Sequence, residues 1–243
     1  MESLFYGIRY RNVAIAYCTQ EELLLKLIKT ATASQSLVVA PVTLRDLVSF
    51  KFNSRKRKEF AALSLTFPVT RSILKALAKE FKPEEELLAG KIFIELTDQI
   101  ARNDLMLVVW GLTPDQETQL KNRFKLLLDK IPKSIYLSEA VERTHAYDQI
   151  EVFIRKTEPD VVYMTWRCYR QFPNVADLLP RSVIIIIDIP LAIYAEMPPK
   201  NIVFSKIKTF FGYFNLWRAL RFLYGRVILA NLKKQRGNLK PLP

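Results

Sequence analysis

Histidine and cysteine, the side chains that most often carry nucleophilic or metal chemistry, are nearly missing from this sequence. There is one histidine, His145, and there are two cysteines, Cys18 and Cys168. The cysteines lie 150 positions apart, which is not a spacing that binds a metal or forms a redox pair. One histidine argues against a histidine-based metal site or a Ser-His triad. The sequence therefore predicts no metal and no cofactor, and it predicts reduced thiols in an intracellular protein.

Asp188 is the carboxylate best placed to do chemistry. It follows four consecutive isoleucines at the end of a predicted strand, and ligands of open α/β sheets bind beyond the carboxyl ends of strands. A carboxylate at that position can bind a ligand or act as a general base. It can equally cap the next helix or pair with Arg167. Both interpretations of Asp188 stay open.

The last 47 residues, 197–243, contain no Asp or Glu. They contain ten Lys or Arg and eight aromatic residues, whereas residues 1–196 carry 27 basic and 24 acidic groups. Ten of the thirteen net positive charges therefore lie in this segment. A segment that is both aromatic and cationic suits a membrane interface, which is apolar on one side and anionic on the other.

Residues 213–236 predict one amphipathic helix, because apolar residues recur at three- and four-residue spacing. The apolar face comprises Tyr213, Leu216, Trp217, Leu220, Leu223, Tyr224, Val227 and Ile228. The basic side comprises Arg218, Arg221, Arg226, Lys233 and Arg236. Arg226 interrupts the long apolar run, so the helix falls short of the roughly 18–20 residues of a transmembrane span and should lie on the bilayer. The predicted membrane contacts are Trp217, Leu220, Tyr224, Arg226, Lys233 and Lys234.

Two other interpretations of this helix stay open. Its apolar face can pack on the rest of the protein and leave the basic face in water. Aromatic and arginine side chains can also bind single-stranded nucleic acid by stacking. Most of these aromatic residues lie on a continuous aliphatic face, however, which a stacking platform does not need. Nucleic acid is therefore the weakest of the three candidate partners.

Short β-branched runs alternate with longer helical patterns before this segment. The predicted strands are at 13–17, 37–40, 63–67, 105–109, 134–137, 161–164 and 183–187. The predicted helices are at 20–33, 44–52, 72–81, 84–101, 114–130, 144–156 and 172–179. The alternation predicts a doubly wound, mostly parallel α/β sheet flanked by helices, with domains at 1–196 and 197–243. The cluster Arg55-Lys56-Arg57-Lys58 is predicted to be a solvated loop, which could also face a membrane.

Several short segments, read in order, resemble the motifs of one protein family. They are Phe5-Tyr6-Gly7-Ile8, Val38-Val39-Ala40-Pro41, Leu65-Thr66-Phe67-Pro68, Ala89-Gly90-Lys91-Ile92-Phe93, Val109-Trp110-Gly111-Leu112, Asp160-Val161-Val162-Tyr163 and Trp217-Arg218-Ala219-Leu220-Arg221. Together they resemble, over almost the whole chain, the WecG/TagA/CpsF glycosyltransferase family. The first of them resembles the hairpin with which that family opens.

The resemblance implies a Rossmann-like fold and a function at the cytoplasmic membrane face. The family transfers a sugar from a nucleotide sugar to a lipid-linked acceptor in cell-surface polysaccharide synthesis, and its tail is a peripheral membrane element. The positions implied to bind a UDP-sugar are Gly111, Arg170, Gln171, Arg218 and Arg221. Guanidinium groups suit diphosphate oxygens and would stabilise the leaving group without a metal. The resemblance also implies a homo-oligomer or another protein partner.

The departures from the family pattern fall on the chemistry. Val69 stands where the family has its presumed catalytic Asp, and Val42 stands where it has an Asn. A valine can neither remove a proton nor orient an acceptor hydroxyl. The glycine-rich turn of the family becomes Ile186-Ile187-Asp188, and β-branched residues obstruct the close approach that glycine allows.

Two functions are therefore open, and the sequence leaves enzymatic activity undecided. One is a peripheral glycosyltransferase that is active through altered residues, which the retained Gln171, Trp217 and Arg218 favour. The other is a non-catalytic relative that kept the fold and the membrane tail and binds a lipid or a protein. The replacements at Val42 and Val69 favour the second.

Overall fold

A computed structural model of the chain describes residues 5–78, 89–131, 133–138, 147–186 and 211–242. The strands are β1 (Phe5–Tyr10), β2 (Val13–Ala16), β3 (Leu37–Val42), β4 (Leu65–Pro68), β5 (Leu107–Leu112), β6 (Ser134–Ser138), β7 (Val161–Met164), β8 (Val183–Ile186) and β9 (Lys240–Leu242). The helices are α1 (Gln20–Thr32), α2 (Leu44–Phe52), α3 (Ser54–Ala61), α4 (Arg71–Leu77), α5 (Ala89–Arg102), α6 (Pro114–Arg123), α7 (Lys125–Leu128), α8 (Tyr147–Thr157), α9 (Trp166–Gln171), α10 (Val175–Leu178) and α11 (Phe211–Gln235).

The strands form one nine-stranded sheet in the order β6-β5-β7-β8-β3-β4-β2-β1-β9. The seven strands from β6 to β2 are parallel, and β1 and β9 add antiparallel pairings at one end. Helices cover both faces of the sheet, so two apolar clusters flank it. The predicted mostly parallel α/β class is confirmed.

The central strands are buried on both faces. All four residues of β7 and of β8 are almost inaccessible to solvent, as are the six residues of β5. The sequences of such strands are continuous apolar runs because each face of the sheet is covered by helices. This pattern explains why the predicted strands at 105–109, 161–164 and 183–187 match observed ones to within a few residues.

One predicted loop is a helix. The segment Arg55-Lys56-Arg57-Lys58 lies within α3, which Asn53 begins by accepting a hydrogen bond from the amide of Lys56 at 2.9 Å. Phe60, at the end of the helix, is 2 % exposed and contacts the rings of Phe50 and Trp166. The prediction of a solvated loop was wrong because this cap and this single buried ring hold a helix whose other residues are mostly charged.

The C-terminal helix α11 packs on the body through one line of residues. Ile228 and Leu232 are 4 % and 0 % exposed, and they join the apolar cluster that α2 and α4 also line. The Arg236 guanidinium donates to the Ala78 carbonyl, at the end of α4, at 3.3 Å. Beyond it, β9 pairs with β1, so the last residues of the chain extend the sheet. The boundary at residue 196 stays a prediction.

The rotation of α11 divides the apolar face that the sequence predicted. Ile228 faces the body, whereas Leu223 and Val227 are 58 % and 56 % exposed. Tyr224 is half-buried between these two sets. The helix carries apolar residues on more than one side, and the body covers only one of those sides.

Replacing Leu232 by alanine tests this orientation. We expect Leu232→Ala to lower the free energy of unfolding by about 2–5 kcal/mol, because it empties a fully buried site. Leu223→Ala, in the same helix but exposed, should change it by no more than about 0.5 kcal/mol. Urea unfolding followed by circular dichroism measures both variants. Equal losses would contradict the observed rotation of α11.

Candidate functional site

Threonine begins every described helix that directly follows a parallel strand. These residues are Thr19, Thr43, Thr70, Thr113 and Thr165. All of them except Thr70 accept a hydrogen bond from an amide of the first helical turn. Because parallel strands end at one edge of the sheet, this edge is lined by capped helix starts. The sequence signal for these helix starts is a threonine at each strand-to-helix junction.

The cap of α2 already holds a carboxylate. The Thr43 hydroxyl donates to Asp46 at 2.6 Å, and the Thr43 amide donates to the same oxygen at 2.8 Å. The other Asp46 oxygen pairs with Lys56 at 2.6 Å. A helix start attracts anions through its free amides and its dipole. At α2 that attraction is satisfied from within the chain.

Two valines lie side by side where the family resemblance implies polar chemistry. The Val69 amide donates to the Val42 carbonyl at 3.1 Å, which continues the pairing of β3 with β4. Val42 is fully buried, and Val69 is half-buried against the apolar core. Thr70, beside them, accepts a hydrogen bond from the Leu44 amide at 3.2 Å. Neither Val42 nor Val69 can therefore act as a general base.

Gly111 serves the packing of α9 on β5. Its φ of +89° lies in the left-handed region. A Cβ at this position would lie 2.5 Å from the Thr165 hydroxyl oxygen and 2.6 Å from Cys168 Cβ. The Thr165 hydroxyl also donates to the Gly111 carbonyl at 3.2 Å. The space that the missing side chain leaves is thus filled by α9 and is not open to a ligand.

Arg170 pairs with a carboxylate. Its Nε donates to Glu59 Oε2 at 3.1 Å, while Arg55 Nε lies 3.3 Å from the other oxygen of Glu59. These residues line a groove of about 540 Å³ between α3 and α9, with Lys58 and Tyr169 also in its wall. Burial, and then the charge of Glu59, raise the pKa of the Tyr169 phenol.

Among the remaining predicted donor-site residues, Gln171 alone has a described side chain. Gln171 is exposed at the end of α9. Arg218 and Arg221 lie in α11 together with the predicted membrane contacts Trp217 and Leu220, and the side chains of these four residues lie outside the description. Asp188 also lies outside the described residues.

Nucleophilic cysteine chemistry is disfavoured by burial. Cys18 is 5 % exposed, and burial, followed by the nearby charge of Glu22, raises its pKa to about 12. Cys168 is 1 % exposed beneath Gly111. The Cys18 thiolate, which is the reactive form, is therefore scarce near neutral pH. Within the described parts of the chain, no group of three or more His, Cys, Asp or Glu side chains could hold a metal ion.

The other candidate site is the outer face of α11. Three large apolar side chains project there: Phe222, Leu223 and Val227 are 62 %, 58 % and 56 % exposed. The Arg226 guanidinium lies 4.9 Å from the centre of the Phe222 ring. Lys233 and Lys234, two turns further on, are exposed. None of the described helices is long and apolar enough to cross a bilayer.

Phe222 is not part of the predicted apolar face, yet it is the most exposed of these three side chains. The observed outer face thus comprises Phe222, Leu223, Arg226, Val227, Lys233 and Lys234, and we call it the outer face of α11. The predicted contact Tyr224 instead packs on the body: the Phe52 ring meets it edge-on at 5.4 Å.

Comparison with known proteins identifies no relative. No family model matches the chain, and no curated protein matches it. Membership of the WecG/TagA/CpsF family therefore stays a prediction based on the quoted motifs.

A substitution at Gly111 tests whether this glycine is needed for packing. We expect Gly111→Ala to lower the free energy of unfolding by more than about 2 kcal/mol, because the new Cβ combines a left-handed backbone with an overlap onto α9. Gly237→Ala is the matched control, since a Cβ there meets nothing within 4 Å. Urea unfolding compares the two. If Gly111→Ala lowers the free energy of unfolding only slightly, Gly111 is again a candidate for the ligand site.

Proposed function

We propose that this protein is a peripheral membrane-binding α/β protein that docks on an anionic bilayer through the outer face of α11. The observation that carries the proposal is the exposure of Phe222, Leu223 and Val227 beside Arg226, in a segment without any carboxylate. Exposed apolar side chains next to cations that form no ion pair with a described residue match the apolar and anionic layers of a membrane interface.

The magnitudes fit reversible attachment. Moving a large apolar side chain from water into a fully apolar environment is worth about 1.5–3 kcal/mol, and each basic group near an anionic leaflet adds about 1 kcal/mol. The outer face offers three such apolar groups, each a little more than half exposed, and three cations. These contributions can hold the protein on a membrane without a spanning helix.

We infer further that the α/β body is non-catalytic. The positions at which the family resemblance implies chemistry are occupied by packing or by internal pairs: Val42 and Val69 by apolar contacts, Gly111 by α9, and Arg170 by Glu59. Such a body would bind a lipid headgroup or a protein at the membrane. The buried thiols of Cys18 and Cys168 fit a reducing compartment, which supports the cytoplasmic face.

An active glycosyltransferase is the second candidate. It is favoured by the groove between α3 and α9, where Arg55, Lys58 and Arg170 surround a single carboxylate, Glu59. A diphosphate could replace Glu59 as the partner of these cations. The protein would then transfer a sugar from a UDP-sugar to a lipid-linked acceptor, as the WecG/TagA/CpsF resemblance implies.

Vesicle binding tests the membrane proposal. We expect the triple variant Phe222→Ser, Leu223→Ser, Val227→Ser to bind vesicles containing phosphatidylglycerol at least about tenfold more weakly than the unchanged protein, because it removes the apolar contribution. The matched control is Leu25→Ser, Leu126→Ser, Val152→Ser, since these residues are 68 %, 85 % and 65 % exposed but lie on other helices. Co-sedimentation measures both. Equal binding by the two triple variants would refute docking through α11.

Nucleotide binding separates the two candidate functions. We expect calorimetry to detect no binding of UDP or UDP-sugars up to about 1 mM ligand, because Arg170 is paired with Glu59 and Gly111 is covered. The Arg170→Ala and Gln171→Ala variants should behave like the unchanged protein. Tight binding that both substitutions weaken would instead establish a donor pocket and favour the transferase.

A further inference from the structure

A second segment without carboxylates lies beside α11. Residues 51–58, at the junction of α2 and α3, contain five cations and no Asp or Glu, and we call this segment the α2–α3 corner. Its members are Lys51, Phe52, Asn53, Ser54, Arg55, Lys56, Arg57 and Lys58. Like the C-terminal segment, it combines positive charge with an exposed aromatic ring, since Phe52 is 53 % exposed.

Tyr224 of α11 joins the corner to the outer face of the helix. The Phe52 ring meets the Tyr224 ring edge-on, with centroids 5.4 Å apart and planes at 81°. The Lys51 ammonium lies 3.9 Å from the centre of the same ring. Val227 follows Tyr224 by three residues and therefore lies one turn along the same side of the helix. Phe52 and Val227 thus flank Tyr224, and both are more than half exposed.

The charge of the corner is only partly compensated within the chain. Lys56 pairs with Asp46, and Arg55 shares Glu59 with Arg170. Even so, the Arg55 side chain is 83 % exposed. Lys51 and Lys58 are exposed, and neither forms an ion pair with a residue in the described part of the chain. Two carboxylates face five cations, so a strong positive potential remains.

We propose that the α2–α3 corner and the outer face of α11 form one docking surface for the phosphate headgroups of an anionic bilayer. In this arrangement Phe52 enters the apolar boundary together with Leu223 and Val227, while Lys51, Arg55 and Lys58 contact lipid phosphates. The inference rests on the proposed membrane function and extends it to a part of the α/β body. Long basic side chains can reach the phosphate level while their alkyl stems stay in apolar contact.

The geometry favours a bilayer over single-stranded nucleic acid. Proteins bind such strands by stacking the bases on open faces of aromatic side chains. The Lys51 ammonium lies over the Tyr224 ring, and the Arg226 guanidinium lies over the Phe222 ring. The neighbouring exposed residues, Leu223 and Val227, have no aromatic face. An aliphatic and cationic surface suits acyl chains and headgroups better than bases.

Site-specific labelling tests this surface directly on the full chain. A polarity-sensitive thiol fluorophore is attached to the Phe52→Cys variant and, as the matched control, to Leu25→Cys, since Leu25 is exposed on α1 over the other core cluster. The native cysteines are buried and should not react in the folded protein. With phosphatidylcholine vesicles containing about one third phosphatidylglycerol, we expect a blue shift at position 52 and none at position 25.

Charge removal gives the second readout. We expect Arg55→Ala, Lys58→Ala to weaken binding to the same vesicles about tenfold or more, because two basic groups leave the headgroup layer. The matched control, Lys125→Ala, Lys133→Ala, removes the same charge from exposed positions near β6 and should change binding less than about threefold. Circular dichroism verifies that all variants fold.

The possible outcomes separate the two proposals. Vesicle binding without a shift at position 52, or with unchanged affinity in the Arg55→Ala, Lys58→Ala variant, overturns the inference and leaves docking through α11 in place. If the unchanged protein binds no vesicles, both the proposed membrane function and this inference are wrong. A third outcome is that the unchanged protein does not bind vesicles but binds a single-stranded oligonucleotide. If the Arg55→Ala, Lys58→Ala variant then loses that binding, the surface binds nucleic acid and the inference is wrong.

Discussion

The burial of Ile228 and Leu232 against the body is the contact on which the proposed docking surface depends. Removing these two side chains from water determines the rotation of α11, and a helix that buries one line of residues must expose the opposite line. Leu223 and Val227 remain in solvent for this reason. The pairing of β9 with β1 holds the far end of the helix to the sheet, so its rotation is fixed at two places. The exposure of these two apolar side chains is therefore a direct consequence of how α11 packs on the body.

At the carboxyl edge of the sheet the described polar groups are paired or covered, in contrast to the exposed outer face of α11. In open α/β sheets this edge is where ligands bind, because helix starts and strand ends leave polar groups unpaired. Here the threonine caps satisfy the amides, Asp46 occupies the start of α2, and α9 fills the space beside Gly111. Val42 and Val69, at the ends of β3 and β4, pack in the two apolar clusters. The architecture alone therefore says little about activity, since function depends on the side chains at the edge.

Helices and strands could be predicted from the sequence where they are fully buried. The candidate site could not be predicted where its geometry depends on tertiary packing. Strands such as β7 and β8 are apolar throughout because both of their faces are covered, and this leaves a clear sequence signal. The helix α3 was missed because four charges in a row resemble a solvated loop, while its only buried side chain, Phe60, is a weak signal. The rotation of α11 could not be read from periodicity, since apolar residues lie on several sides of it. The positive φ of Gly111 likewise depends on α9, which is distant in sequence.

The proposed docking surface combines two segments that are distant in sequence. Phe52 and Tyr224 lie 172 positions apart, and the sequence of the corner alone predicts a solvated loop. Their contact places the corner, with its five cations, against α11, and neither segment contains Asp or Glu. Concentrating like charges raises the energy of the isolated protein, and the cation near the Tyr224 ring offsets only part of that cost. The proposed anionic partner would relieve this repulsion, and the exposed Phe52, Leu223 and Val227 favour a partner that is apolar just beneath its charge. A bilayer rich in anionic lipid has both properties.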